Sequence, residues 1–344
     1  MNHRDRLETL EDEILAPHAA HSNRSRGRER PEPESPVRTA YQRDRDRVIH
    51  ANAFRRLRGK TQVFIAVAGD HYATRLSHAL EVAQVARDIA RALRLNEDLA
   101  EAIALAHDLG HAPFGHAGQH ALDQLLGEGY EHDKQSLRVV RFIEKSGRGL
   151  NLTEEVLDGI RTHRKPRHSL AGTTAGPSST LEAEVVKLSD AIAYINHDVD
   201  DAVRAHIIAE SDLPSDAVRH LGHSRSQRIN TAVCDILETS DGKPQVAMSE
   251  RTLSALDALR DYLFLHVYTN PAVKRESARA EGVVERLFEY YCSHPDLLPA
   301  EYQEDPRREG TERRVADYIA GMTDAFAITT FEDLFVPKTW PLDG

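Results

Sequence analysis

From Arg75 to Leu93 the apolar residues Leu76, Ala79, Leu80, Ala83, Ala86, Ala90 and Leu93 recur at spacings of three and four. That is the period of one buried face of an α-helix. An Ala/Leu-rich stretch from Glu97 to about His107 repeats the pattern. Helical periodicity follows over 133–146, 153–163, 181–205, 249–268, 276–292 and 311–326. Runs that alternate apolar and polar, as half-buried strands require, are scarce. A chain with this many amphipathic stripes must pack helix on helix. The fold class expected is all-α, a helical bundle with a C-terminal helical elaboration.

The 344 residues suffice for one large domain or two smaller ones. No internal repeat is visible. Residues 20–38, AHSNRSRGRERPEPESPVR, are polar, contain proline and nearly lack large apolar side chains. They read as a flexible segment, so 1–40 is expected to be partly flexible. The loop RKPRHSLAGTTAGPSST, 164–180, is long and polar and reads as a mobile lid or a disordered stretch. ETSDGKPQ, 238–245, reads as a turn between helices. Neither loop marks a convincing domain boundary.

Charge and cysteine usage exclude some classes. Net charge is −11, which argues against non-specific nucleic-acid binding. Residues 41–64 nonetheless hold seven Lys/Arg against two Asp, a local +5. Such an island is either a solvated helix face or a concave anion site. Cys234 and Cys292 alone cannot build a disulfide framework or a cysteine zinc site. No apolar run approaches the roughly 20 residues of a membrane span. The charged start MNHRDRLETLEDEI lacks the apolar core of a secretion signal. A reducing cytoplasm is the expected location.

The stretch HDLGHAPFGHAGQH, 107–120, carries His107, His111, His116 and His120 beside Asp108 and three glycines. A His-rich surface turn is the plain reading. Two features point to a metal site instead. His78 lies on an otherwise apolar helix face, and Asp190 follows an apolar run. Imidazole nitrogens and carboxylate oxygens together suit Mn, Fe, Ni or Zn, and also admit Mg. Singly, His78 reads as a buried core histidine and Asp190 as a surface carboxylate; together they read as ligands.

His78, His107–Asp108 and Asp190 match the H…HD…D signature of the HD superfamily of metal-dependent phosphohydrolases. The blocks YQRDRDRVIHANAFRRLRGKTQVF, TRLSHALEVAQVAR, HDLGHAPFGHAG, YEHDKQSLRVV, AYINHDVDDA and DYIAGMTDAFA resemble the deoxyguanosine triphosphate triphosphohydrolase (dGTPase) family. The resemblance runs from about residue 40 to 336, and the layout is that of the shorter dGTPase-like branch. It implies an HD-domain core over 41–210, with the motif region at about 74–197, and a C-terminal helical region over 211–344 packed on it.

The resemblance also implies chemistry. A divalent ion on His78, His107, Asp108 and Asp190 would polarise the α-phosphate of a dNTP and lower the pKa of a water. The products would be a deoxynucleoside and intact triphosphate. His111, His116 and His132 match positions where the family places imidazoles near the phosphates, where they neutralise charge or protonate the leaving oxygen. His120 is left without a role. Gly110, Gly115 and Gly118 are expected to let the backbone turn tightly and approach a ligand. Arg75 matches a phosphate contact, and Gln62 and Asp198 match contacts to the 3′-hydroxyl. Tyr194 matches a residue that packs on the sugar and excludes a ribose hydroxyl; the plain reading is a core aromatic. Arg55, Arg56, Arg58 and Lys60 either add positive charge at the phosphates or pair with acids elsewhere. His163 and His197 lie near the motifs without an assignment.

One residue departs from the family. A Glu often follows three residues after the His116 position and forms an acid–base pair with it; here Gln119 stands there. Other readings therefore stay open: another HD-type phosphatase or phosphodiesterase, or a nucleotide-sensing or DNA-binding homologue of low activity. The family further implies a homo-oligomer, often a hexamer, and in some members a dNTP activator. Single-stranded DNA is a conceivable partner without a supporting motif.

Overall fold

The computed structural model describes residues 1–65, 72–165, 170, 176–304, 307 and 309–338. Among them the only β-type pairings are two isolated bridges, Arg28 with Thr153 and Thr61 with Thr74; the rest is helix and connection. The expected all-α class is observed. Most of the 164–180 loop falls outside the described residues.

Local sequence sets where the helices start. Helix α1 (His3–Ile14) opens on an Asn2–Asp5 capping box, and α2 (Ala40–Ile49) on a Thr39–Gln42 box. Helix α3 (Arg75–Ala92) is capped by Thr74, α4 (Glu97–Ala106) by Asn96. Then come α5 (His116–Leu125), α6 (His132–Arg138) and α7 (Glu154–Thr162). The 24-residue α8 (Leu181–Arg204) is capped by Thr180. The chain closes with α9 (Ser215–Leu221), α10 (Arg225–Ser240), α11 (Glu250–Leu263), α12 (Pro271–Ser293), α13 (Thr311–Ala320) and α14 (Asp324–Phe335).

Two apolar cores result. One gathers α2, α3, α4, α7 and α8 with α9 to α11; fully buried Leu99, Ile103, Ile89, Ile160 and Ile192 lie in it. The other joins α5 to α12, α13 and α14 through Leu122, Val284, Leu287, Val315 and Ile319. The cores thus draw partners from both sides of position 210.

Three expected helices break early. The pattern over 133–146 is helical only to Arg138, then passes through a wide π turn, Val139–Ile143, into left-handed Lys145 (φ 56°) and Ser146 (φ 54°). The 249–268 helix ends at Leu263 in a second π turn, Phe264–Tyr268. The 311–326 helix stops at Ala320 and restarts at Asp324 behind a Thr323 cap. The polar segment 20–38, expected to be flexible, is instead tied down by distant side chains. Ser25 and the Arg26 amide donate to Glu155, and Arg28 donates to Asp44 and to the carbonyls of Asn151 (2.7 Å) and Ala40 (3.0 Å).

Three of the seven cations of the basic island, Arg43, Arg45 and Arg47, form ion pairs. Arg45 meets Asp98 at 2.7 Å, and Arg47 and Arg43 meet Glu32 at 2.7 and 3.1 Å. Lys60 is buried and donates to the carbonyls of His111 (2.5 Å) and Ala320 (2.7 Å). The Asp324 carboxylate accepts from the Thr61 amide (3.0 Å), the Thr61 hydroxyl (2.7 Å) and the Phe114 amide (2.8 Å). Together these contacts fasten the His-rich loop to the C-terminal helices. Helix α6 is fastened likewise: Arg138 bonds Asp317 and forks onto Glu309, and Gln135 also donates to Asp317 at 2.9 Å.

Two expectations follow. Asp324→Ala leaves buried donors unpaired and should cost about 2–4 kcal/mol, read as a lower denaturation midpoint; the exposed Asp333→Ala should change little. The Glu309 carboxyl is pulled from its ordinary 4.5 to about 2, first by its hydrogen bonds to Arg138 and despite some burial. A depressed carboxyl contributes stability above its unfolded pKa and loses it as pH falls through the folded one. Thermal scans from pH 5 to 2 should therefore fall less steeply for Glu309→Gln than for the natural chain.

Candidate metal centre and nucleotide cavity

His78 faces inward from the first turn of α3, which the Thr74 cap fixes. Helix α4 ends at Ala106, so His107 and Asp108 project from its C-terminus into the core. Asp190 comes from the middle of α8. The His78 Nε2 atom lies 3.2 Å from Asp190 Oδ1 and 3.7 Å from Asp108 Oδ2. His107 Nε2 lies 3.4 Å from Asp108 Oδ1 and 4.0 Å from Asp190 Oδ1. Ligands about 2.1 Å from one ion stand about 3 to 3.5 Å from their neighbours, so this spacing fits a divalent ion.

Proton positions fit as well. His107 Nδ1 sits 2.6 Å from the Ala104 carbonyl, an acceptor only, so it carries the proton. Its Nε2 lone pair then points inward, and that buried atom has no hydrogen-bond partner. His78 Nδ1 lies 3.0 Å from His197 Nε2, and His197 Nδ1 lies 2.8 Å from Asp198 Oδ1. With the His197 proton on Nδ1, beside Asp198, His197 Nε2 accepts from His78 Nδ1, and the His78 Nε2 lone pair is free for a metal. The Tyr268 hydroxyl donates to the other Asp198 oxygen. The His/Asp groups are thus able to hold a divalent metal ion.

Burial alone would raise the Asp108 carboxyl, but His107, His111 and Arg75 hold it well below the usual range. Arg75 donates to Asp108 at 2.8 Å. Burial also opposes ionisation of Asp190, and Lys165, His78 and His107 overcome it; the Lys165 ammonium bonds its second oxygen. His111 is pushed down to about 3, by burial first and then by Arg75. His132 and His163 are lowered too, chiefly by burial. Burial thus favours the neutral form of all three imidazoles.

A cavity of about 660 Å³ opens over this floor. Its lining includes His78, Asp108, Asp190, His111, His116, His132, Gln62, Arg75, Tyr194 and Asp198. His107 lies just behind, its ring 5.4 Å from that of His78. All residues singled out as metal, catalytic or substrate contacts therefore converge. Tyr194 sits against the apolar core with Lys165 over its ring at 5.5 Å. The Gln62 carbonyl is buried without a partner, and His116 is exposed within the cavity.

Other placements differ from expectation. Gln119 does not partner His116; its Oε1 lies 2.9 Å from His132 Nδ1. Arg55, Arg56, Arg58 and Lys60 do not line the cavity; its cations are Arg75, Arg164, Lys165 and Arg260. His120, left without a role, does line it, as do Phe264 and Tyr268. His163, Arg164 and Lys165 follow the end of α7, where an apolar helix meets a polar loop, which was the one available signal. Tyr268 had none, because the π turn that aims it is invisible to a regular periodicity. The glycines serve chain packing: a Cβ on Gly110 would lie 2.1 Å from the Ser136 amide. Gly115 takes φ 58° beside Arg75 and Gln62.

The HD domain family matches residues 75–195, and the phosphohydrolase-associated domain matches 246–333. A deoxyguanosinetriphosphate triphosphohydrolase-like protein of Caldanaerobacter subterraneus subsp. tengcongensis is 52% identical over 340 residues, spanning 99% of this chain and 98% of that one. A protein of the same description from Desulfatibacillum aliphaticivorans is 44% identical over 347 residues, with 98% and 99% covered. A crystal structure of a phosphohydrolase from Bacteroides thetaiotaomicron superposes with a TM-score of 0.53 at 14% identity, over 89% of this chain and 71% of that one, a likeness of fold. Among the described residues no helix is long and apolar enough to cross a membrane. With an HD phosphohydrolase domain and a His/Asp cluster that suits a divalent ion, the chain belongs to the deoxyguanosinetriphosphate triphosphohydrolase-like family.

Proposed function

We propose that the protein hydrolyses deoxynucleoside triphosphates, dGTP or several dNTPs, to deoxynucleoside and inorganic triphosphate by water attack at the α-phosphate. One observation carries the reading: a single cavity joins the His/Asp cluster to a cationic, imidazole-rich wall and to a Tyr194–Asp198–Tyr268 wall. The first wall suits a polyphosphate and the second a sugar.

His78, His107, Asp108 and Asp190 would hold a divalent ion, which would supply Lewis acidity to a phosphoryl group and acidify a water. The chain's own groups do the rest. Arg75, Arg164, Lys165 and Arg260 counter the triphosphate charge. Polyphosphate entering beside His111 and His132 favours their protonated forms, against the burial that favours their neutral forms. Burial and then Arg75 lower the His116 pKa; the polyphosphate favours its protonated form, and His116, open to the cavity, then gives that proton to the departing 5′-oxygen. Gln119 fixes the His132 tautomer rather than shuttling a proton, so its replacement of Glu leaves His116 to act alone. Gln62 and Asp198 take the 3′-hydroxyl, and Tyr194 closes on C2′. Location in the cytoplasm and assembly into a homo-oligomer belong to the same reading.

Product analysis tests this reading. With Mn or Mg, each dNTP should give deoxynucleoside and intact triphosphate, and Asp108→Ala should fall to background. Orthophosphate as first product would favour a phosphatase instead. Because His197 orients a ligand from behind, His197→Ala should weaken metal affinity by about 10- to 100-fold. Calorimetric metal titration checks this, and restored affinity in His197→Gln would confirm an orienting role.

A further inference from the structure

A second hollow of about 610 Å³ shares no lining residue with the nucleotide cavity. It forms where the helical pattern over 133–146 breaks and the chain after the π turn folds back beside Arg30–Glu32. Five cations line it, Arg30, Arg47, Arg141, Lys145 and Arg148, against one acid, Glu32. Two of them are answered: Arg47 meets Glu32 at 2.7 Å, and Arg141 meets Glu29 at 2.9 Å. Among the described residues Arg30, Lys145 and Arg148 have no carboxylate partner, and Arg148 Nε reaches only the Lys145 carbonyl, at 3.4 Å. Glu144, next in the chain, does not answer them; it is buried and accepts from the Asn52 and Ala53 amides at 3.2 and 2.8 Å. The three free cations are exposed. In a chain of net charge −11, like charges gathered at one concavity make a local field that draws an anion.

The backbone is built to hold them there. Six described non-glycine residues have positive φ, and three of these fall in seven residues of this wall: Lys145 (56°), Ser146 (54°) and Asn151 (54°). Such conformations persist only where neighbouring structure enforces them. Here the Gly149 amide donates to the Glu144 carbonyl at 2.7 Å and the Leu150 amide to the Val140 carbonyl at 2.6 Å. The fold-back is so tight that a Cβ on Gly149 would lie 2.1 Å from the Arg141 carbonyl oxygen.

The lining also selects among anions. Its one aromatic side chain among the described residues, Phe142, already carries the Arg307 guanidinium 4.6 Å from its ring centre. A nucleobase, which binds by stacking on an aromatic face, finds no free platform. Several cations around one hollow match linked phosphates better than a single one. We propose that this hollow binds an inorganic polyphosphate chain such as triphosphate, with Arg30, Lys145 and Arg148 as its principal contacts. The proposed reaction releases such a chain; that link rests on the proposed function, and the binding site does not.

The probe is tripolyphosphate, titrated calorimetrically into full-length protein in EDTA so that no turnover intervenes. Binding is expected, with orthophosphate at least tenfold weaker. Lys145→Ala/Arg148→Ala should weaken one class of sites tenfold or more, and so should Arg30→Ala on the neighbouring segment; any site in the nucleotide cavity would persist in both. Circular dichroism reports whether the variants fold. Hydrogen exchange on the natural chain gives the same answer without them: tripolyphosphate should protect amides within 141–151. Undiminished binding in folded variants, or protection confined to the nucleotide cavity, would overturn the site. A dNTP or a single-stranded oligonucleotide that binds more tightly than tripolyphosphate and is lost in the same variants would overturn the inorganic ligand. Absence of dNTP turnover would sink the proposed function and leave this binding unchanged.

Discussion

Two carboxylates, Asp108 and Asp190, sit in the middle of an apolar helical bundle, and the site is organised around neutralising them. A buried carboxylate without partners is costly. Here Arg75 and Lys165 each bond one of them, and His78, His107 and His111 surround Asp108. The helices that supply these groups are Ala-rich where they meet: Ala79, Ala83, Ala102 and Ala106 are all buried. Small side chains let α3, α4 and α8 approach closely enough for their polar groups to share one point.

The C-terminal helices complete this arrangement. Lys60 and Asp324 clamp the loop that follows the His–Asp pair, and the Asp317–Arg138 network sets α6 and with it His132. α11 and the π turn after it bring Arg260 and Tyr268 to the cavity. The phosphohydrolase-associated region is therefore part of the site's construction. A loop carrying a non-glycine left-handed residue, Phe114 at φ 63°, holds its shape because a buried carboxylate bonds its amide.

Much of this was readable in the sequence, for definable reasons. Helix periodicity is a local signal, so α3, α4, α8 and α12 were visible. The candidate metal ligands were visible because the His–Asp pair lies next to a helix end, and the family blocks fix their order. What escaped was set by long-range contacts. Asp324 had to start a new helix to reach Thr61 and Phe114, so the pattern over 311–326 gave one helix where there are two. The basic island left a solvated face and an anion site both open; in the fold, Glu32, Asp98 and two carbonyls take Arg43, Arg45, Arg47 and Lys60. Polar 20–38 looked free because its anchors, Asp44, Asn151 and Glu155, lie elsewhere in the chain. The family resemblance set the residue at Gln119 beside His116, whereas α6 brings His132 to it.

The central claim is attack at the α-phosphorus at this site, and isotope labelling measures it directly. Turnover of a dNTP in ¹⁸O-water should place one ¹⁸O in the released triphosphate and none in the deoxynucleoside. Label in orthophosphate, or in the 5′-hydroxyl of the nucleoside, would contradict the account.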